Sequence, residues 1–342
     1  MEKQMVIAYI GNGKSANRYH IPFVLTRKDK IRIKKIYTMD HSRDKWAEIP
    51  GVQYVEDMDE ILKDEEIQVV ILSTPHDTHY PLAKKVLEAG KNCVSEKPFT
   101  ETKEQAEELF ALAKKKGLMM QCYQNRRFDS DFLTAQKVIE SGIIGDVTEV
   151  EISFDYYRPE IPQKREFHPF HSFLYGHACH TLDQVISYFG APDRVQCDVR
   201  QLLGEGKMND YFDVDLFYGN RLKATVKSSY FRVKPRPAFT VYGMKGMFVK
   251  EVKDKQEEHL KMFYMPGQPG FGEDKPSEYG TLTYMDENGV YHEEKVPTVT
   301  GDYGRYYDAL YETIMNGKEQ LVKPWETILQ IEIMEKGIRG LK

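Results

Sequence analysis

Cysteine is scarce: the chain of 342 residues has four, Cys93, Cys122, Cys179 and Cys197, scattered and without a CxxC pair. That excludes a disulfide framework and a thiolate zinc site, and implies reduced, mostly buried thiols. An excess of either charge is also missing. The formal net charge is −5 with the signs evenly mixed, so no basic stripe is available for nucleic acid or an anionic membrane, and the expected partner is a small molecule. No apolar run approaches the roughly 20 residues that span a bilayer. Met1 to Ile10 lacks the basic start and long apolar core of a signal peptide, so a cytoplasmic location is expected. Internal repeats and low-complexity tracts are absent.

What is present is length and alternation. Single cores seldom grow past roughly 250 to 300 residues, so a chain of this length is expected to form two domains. Met5 to Ile10, MVIAYI, reads as a strand ending at Gly11, followed by a helical pattern through Tyr19 to Leu25. Further strands are expected at Ile31 to Tyr37, Val69 to Leu72 and Asn92 to Val94, with helices at Met58 to Leu62, His79 to Ala89 and Lys103 to Lys116. Strands alternating with helices imply a doubly wound parallel sheet, whose ligands bind beyond the carboxyl ends of the strands. From about Val147 longer alternating segments such as VTEVEISFDYY indicate antiparallel sheet. Asp213 to Tyr218 and Arg221 to Val226 flank Gly219-Asn220 as a two-residue hairpin, Met244 to Val249 and Gly280 to Tyr284 add strands, and Glu251 to Pro276 reads as an excursion.

The segments after the strands carry the chemistry. GNGKSA, Gly11 to Ala16, fits GxGxxA: Gly11 permits the turn, Gly13 admits a pyrophosphate, Ala16 allows close helix packing, and Asn12, Lys14 and Ser15 complete a dinucleotide phosphate site. Asp40 stands where a ribose-binding acid is expected and favours NAD, while Arg43 offers the alternative of holding the extra phosphate of NADP. Ser73, Thr74, Pro75 and His76 of STPHDTH close the next loop against the nicotinamide ribose, and His79 caps or packs at the following helix start. In SEKPF, Lys97 projects from a strand end, where an ammonium can steady a developing alkoxide and is also a candidate cofactor contact. Glu96 is expected to pair with it or contact the cofactor, and Pro98 fixes the backbone, with a cis peptide as one way to do so.

GNGKSA, STPHDTH and EKP together resemble the Gfo/Idh/MocA family, the dehydrogenases named for glucose-fructose oxidoreductase and inositol dehydrogenase. The resemblance continues through Tyr123 to Asp129, a run like that of the scyllo-inositol dehydrogenase branch, through Asp155 to Pro159, and through Gly301 to Ile314. It implies an α/β protein with an N-terminal Rossmann domain over 1–122. A second α+β domain over 123–342 would carry a large open, mainly antiparallel sheet. It also implies NAD or NADP as cofactor, a sugar, inositol or polyol as substrate, and a homodimer or homotetramer. Asn125, Arg126 and Tyr157 are then substrate-positioning candidates, although arginines at such a junction also tie domains together.

LYGHACHTLDQ, Leu174 to Gln184, places His177, Cys179 and His180 within four residues. If Gly176 to Phe189 is helical, Gly176, His180 and Asp183 share a face, with His177 and Gln184 at its edge. The family's DxxxH pattern maps onto Gly176 and His180: the histidine is kept and the acid is missing. His180 is the candidate for moving the hydroxyl proton, alternatively a substrate contact or a packed residue. Asp183 could orient it in the absent acid's place, His177 could face substrate, or Lys97 and water could carry more of the proton traffic. A zinc site built from His168, His171, His177 and His180 is the competing local reading, and no metal is expected. A non-catalytic dinucleotide sensor or partner subunit that lost the acid at position 176 is the competing functional one.

Overall fold

A computed structural model describes residues 3–342, and by contact the chain divides into two units. The first takes the chain up to Asn125 and adds Glu257–Phe271 and Tyr303–Ile328. Its sheet holds β1 (Met5–Ile10), β2 (Ile31–Tyr37), β3 (Gln53–Val55), β4 (Val69–Leu72), β5 (Asn92–Ser95) and β6 (Met120–Cys122). The strands are parallel in the order β3-β2-β1-β4-β5-β6. Every residue of β1 and β4 is buried, which is why both read as unbroken apolar runs: a parallel sheet is covered on both faces. The helix Lys103–Lys116 starts at Thr102, whose hydroxyl accepts from the Gln105 amide, and ends at Gly117 with φ +66°. These are a capped start and a left-handed stop. The strand order reverses between β1 and β4, and this switch point opens the ligand crevice of a doubly wound sheet.

The later segments of this unit are tied to the sheet by long side chains. The Tyr306 hydroxyl donates to the Cys122 carbonyl at 3.0 Å, and Arg27 reaches Asp308 at 2.9 Å. A Cβ at Gly304 would lie 1.9 Å from the Arg27 guanidinium, so any larger residue there must push that guanidinium aside.

The second unit comprises Arg126–Gln256, Gly272–Asp302 and Leu329–Lys342. Its sheet contains β7 (Val147–Ser153), β8 (Arg194–Arg200), β9 (Tyr211–Tyr218), β10 (Leu222–Ser229), β11 (Phe239–Gly243), β12 (Gly246–Lys250), β13 (Gly280–Met285) and β14 (Tyr291–Val296). The order is β14-β13-β12-β11-β7-β10-β9-β8, antiparallel except for the parallel β7–β10 pair. In β9, Phe212, Val214 and Leu216 are fully buried while Asp213 and Asp215 alternate with them, the two-residue period of a sheet with one face packed. The helix Cys179–Phe189 is buried along most of its length.

The hairpin differs from the sequence expectation. Tyr218 pairs with Leu222, so the loop is three residues, Gly219 to Arg221, with Gly219 at φ +56°. A glycine in the left-handed region suits this longer loop. The expected excursion contains a short helix, Gln256–Lys261. In the second unit the Lys250 ammonium pairs with Asp274 at 2.7 Å, with both side chains wholly buried. No helix among the described residues is long and apolar enough to cross a membrane.

Candidate active site

In the first unit the turn after β1 has the form a dinucleotide requires. Gly11 takes φ +109°, and a Cβ there would lie 2.5 Å from the Ser73 carbonyl, so the close approach of the β1 and β4 loops admits only glycine. At Gly13 an added Cβ would meet nothing within 4 Å, and both Gly13 and Lys14 are exposed. The turn is therefore tight on the sheet side and open on the side where a pyrophosphate would sit, which fits the group. Ser73 closes the loop by donating from its hydroxyl to the Gly11 carbonyl at 3.0 Å. Thr74 accepts from the Thr78 hydroxyl at 2.6 Å, Pro75 is exposed, and His76 is half-buried in the short turn His76–Thr78.

After the turn the helix opens as a π segment, Ala16–His20, before the α-helix Ile21–Leu25. The Ile21 amide reaches back five residues to the Ala16 carbonyl, a wide turn of the kind often found at functional sites. Asn12 is held inside the site: its amide donates to Asp44 at 2.8 Å, and Thr38 donates to the same carboxylate at 2.9 Å. Burial alone would raise the Asp44 carboxyl, but hydrogen bonds from His41, Asn12 and Thr38 hold it below the usual range. Sequence reasoning passed over Asp44. The only signal for it was a second acid four residues after Asp40.

Asp40 and Arg43, weighed separately from the sequence, are joined here. The Arg43 Nε lies 2.7 Å from the Asp40 carboxylate, which also accepts from the Ser42 amide at 3.1 Å. Each therefore offsets the other's charge at the position expected to meet the adenosine ribose.

The EKP turn corrects one expectation. Glu96 does not pair with the Lys97 ammonium. Its carboxylate accepts from the Lys97 backbone N–H at 3.1 Å, from the Ser15 hydroxyl, and from His20 at 2.9 Å. Burial would push this carboxyl up, yet the hydrogen bond and charge of His20, the charge of Lys97 and the hydrogen bond of Ser15 bring it down to about 2. The Lys97 side chain is half-buried and makes no hydrogen bond or ion pair among the described residues. The Lys97–Pro98 peptide is cis. His79 is fully buried at the start of the helix His79–Glu88, its ring nitrogens 2.8 Å from the Pro98 carbonyl and 3.1 Å from the Thr74 carbonyl. It thereby ties the STP turn to the EKP turn. Asn125, at the end of this unit, is buried and its side chain has no hydrogen-bond partner among the described residues.

In the second unit, Arg126 and Asp183 both make buried ion pairs. Arg126 lies 3.3 Å from Asp129, with its guanidinium 4.9 Å over the Phe154 ring, and its carbonyl accepts from Gln184 at 2.8 Å. Asp183 takes two hydrogen bonds from the neighbouring Arg127, at 2.8 and 2.7 Å, and both side chains are buried. A bidentate guanidinium occupies the carboxylate that the sequence offered as a substitute for the missing acid.

The histidine stretch also folds differently. Leu174–Ala178 is a π segment and the α-helix begins at Cys179, so an ideal helical wheel drawn from Gly176 misplaces Gly176 and His177 relative to His180. His180 is buried. The Nδ1 of His177 lies 3.3 Å from the Phe173 carbonyl, and its ring packs edge-on to Tyr156 at 5.2 Å. The Lys253 ammonium lies 4.4 Å from the centre of that Tyr156 ring. Tyr157, by contrast, is 59% exposed, so the tyrosine that meets His177 is the one before the residue singled out from sequence. Lys253 carried no sequence signal, and Tyr156 lay in the Asp155 to Pro159 run but was passed over for Tyr157, because a strand end does not reveal which of two adjacent tyrosines turns inward. No group of three or more His, Cys, Asp or Glu side chains among the described residues is arranged to hold a metal.

At Gly176 an added Cβ would meet nothing within 4 Å, so the acid's absence is not forced by packing. We expect Gly176→Asp to fold with stability within about 1 kcal/mol of the parent in urea denaturation. A larger loss would show that the π segment itself demands glycine.

Two family profiles match the chain: "Oxidoreductase family, NAD-binding Rossmann fold" over residues 5–124 and "Oxidoreductase family, C-terminal alpha/beta domain" over residues 136–340. The chain is 47% identical over 331 residues to the uncharacterized oxidoreductase YhhX of Escherichia coli, covering 96% of this chain and 95% of that one. It is 32% identical over 338 residues to the scyllo-inositol 2-dehydrogenase (NADP(+)) IolW of Bacillus subtilis, covering 98% and 93%. A crystal structure of an oxidoreductase from Bacillus cereus superposes with a TM-score of 0.92 at 44% identity, covering 98% and 95%.

Proposed function

Since the chain belongs to the Gfo/Idh/MocA oxidoreductase family, with its NAD-binding Rossmann domain, we propose that it is an NAD(P)-dependent dehydrogenase acting on a secondary hydroxyl, or its carbonyl, of a sugar, inositol or related polyol. The observation that carries this reading is Lys97: a half-buried ammonium without a partner, at the carboxyl end of β5, on a backbone fixed by an ionised Glu96. The nicotinamide, when bound, supplies the hydride acceptor or donor. Gly11, Asn12, Gly13, Lys14 and Ser15 would hold its phosphates, Asp40 its adenosine ribose, and Ser73, Thr74, Pro75, His76 and Glu96 the nicotinamide end. Lys97 Nζ would donate a hydrogen bond to the reacting oxygen and stabilise negative charge as it develops there. His180 would take the hydroxyl proton in oxidation and return it in reduction. Asn125, Tyr157 and His177 are proposed to position the substrate. Similarity to IolW supports a polyol class, and a homodimer or homotetramer is part of the proposal. The substrate class is tested by a spectrophotometric screen of polyols, inositols and sugars, in which turnover by the parent protein supports it and a blank panel with both cofactors overturns it.

The paired Asp40 and Arg43 suggest how cofactor choice is set. Replacing Asp40 by alanine removes the charge that opposes the NADP phosphate and releases Arg43 to meet it. We expect the ratio of kcat/KM with NADP to that with NAD to rise about tenfold, equivalent to about 1.4 kcal/mol, as read by steady-state kinetics with each cofactor. An unchanged ratio would remove Asp40 from the cofactor site.

A second reading has one observation in its favour. Gly176 leaves the family's acid position empty, as a dinucleotide sensor without turnover would allow. It predicts tight nicotinamide binding and no cofactor reduction across the same panel.

A further inference from the structure

Beside Lys97 lies a line of buried polar groups that the proposed hydride chemistry does not itself use. His20, at the end of the π segment, is wholly buried, with Nε2 2.9 Å from Glu96 Oε1 and Nδ1 2.6 Å from the Tyr307 hydroxyl. The Tyr307 hydroxyl is in turn 3.1 Å from that of Tyr9. The imidazole stacks on Tyr123 with ring centres 3.8 Å apart. Nε2–H donates to the carboxylate, Nδ1 meets the Tyr307 hydroxyl, and that hydroxyl shares a further hydrogen bond with Tyr9. The wide π turn brings His20 to this place from a helix that otherwise serves the phosphate turn.

We propose that His20 is a positioning residue for Lys97. Its hydrogen bond holds Glu96 in the one orientation that also binds the Ser15 hydroxyl and the Lys97 backbone N–H, so the phosphate turn and the EKP turn share one buried carboxylate. Tyr307 and Tyr9 fix the imidazole's orientation. Tyr9 is fully buried, so the line ends in the core, and it acts as a brace rather than as a proton path to solvent. The inference rests on the reading of Lys97 as the residue that meets the reacting oxygen.

The groups facing Glu96 are His20, Ser15 and Lys97, with His79 at longer range, its own pKa lowered by burial. Those facing His20 are Glu96, Tyr123, Tyr307 and Tyr9. Without His20, burial would raise the Glu96 carboxyl against fewer opposing contacts. Glu96 would then take up a proton as the pH falls through its new, higher value, and Lys97 would lose the charge beside it.

The test compares the parent with His20→Phe, which keeps a ring for Tyr123 and removes both hydrogen bonds, and with His20→Gln, whose amide can still donate to Glu96. We expect His20→Phe to lower kcat about ten- to a hundredfold with KM changed less than about threefold. The acid limb of its kcat–pH profile should move up by about one unit or more, and His20→Gln should restore the parent limb. A merely structural role would lower thermal stability and leave the acid limb in place, and that result would overturn the proposal. The titration of Glu96, followed by carboxyl NMR of glutamate-labelled protein, is read on the same variants without substrate. A Glu96 titration unchanged in His20→Phe overturns the brace even if the parent turns nothing over, whereas parent-like turnover by Lys97→Ala overturns the Lys97 reading instead. If His20→Phe does not fold, His20→Asn, too short to reach Glu96, takes its place with the same outcomes.

Discussion

Lys97→Ala is expected to lower kcat/KM by about 10²- to 10⁴-fold on whatever sugar or polyol the parent oxidises, with nicotinamide affinity changed less than about threefold. The asymmetry follows from position. The Lys97 side chain makes no hydrogen bond or ion pair among the described residues, so removing it leaves no orphaned partner and little loss of stability. The binding of phosphates and ribose is assigned to the turns after β1, β2 and β4, which the substitution does not touch. Steady-state kinetics separate the two effects from fluorescence titration with reduced cofactor. Equal losses in kcat and kcat/KM would mark an interaction made in the transition state. Turnover within threefold of the parent would remove Lys97 from the chemistry.

Asp183→Ala is expected to destabilise the protein by about 3–5 kcal/mol, because it strands the buried Arg127 guanidinium that now makes two hydrogen bonds to it. The double replacement Arg127→Met with Asp183→Leu removes both charges and is expected to recover most of that loss. Urea denaturation measures both, with a lower midpoint and an unchanged slope for the single variant. The outcome also decides a functional point. If Asp183→Ala kept the parent's stability, the carboxylate would be free of the structural duty its geometry assigns, and its role beside His180 would reopen.

These two sites show what was readable in the chain beforehand. Four of the six Rossmann strands were, because β1 and β4 are covered on both faces and write continuous apolar runs, and because Gly11 must avoid the Ser73 carbonyl, whereas the three-residue strands β3 and β6 are too short to show a pattern. Local contacts of this kind leave local marks. The pairing of Arg127 with Asp183 joins positions 56 apart, and that of His20 with Glu96 joins positions 76 apart. Neither the charge nor the spacing of these residues distinguishes them from solvated ones. The two π segments were hidden for a different reason: an extra residue in a helical turn alters the direction of the side chains without altering composition, so a wheel drawn at ideal spacing put His180 opposite the wrong neighbours. Edge strands were hard as well. In β14, YHEEKV, no residue is buried, so the two-residue period that marks a packed strand never forms there.

The family assignment and the nicotinamide-binding fold are settled by the match of both domains, while the chemistry rests on Lys97. The most direct measurement is nicotinamide absorbance across a panel of inositols, other polyols and sugars, with NAD and with NADP, run side by side on the parent and Lys97→Ala. The account predicts reduction of one cofactor by at least one member of the panel with the parent, and loss of that signal by about 10²-fold or more in the variant. Tight cofactor binding by the parent with no reduction anywhere in the panel, or equal rates for the two proteins, would contradict it.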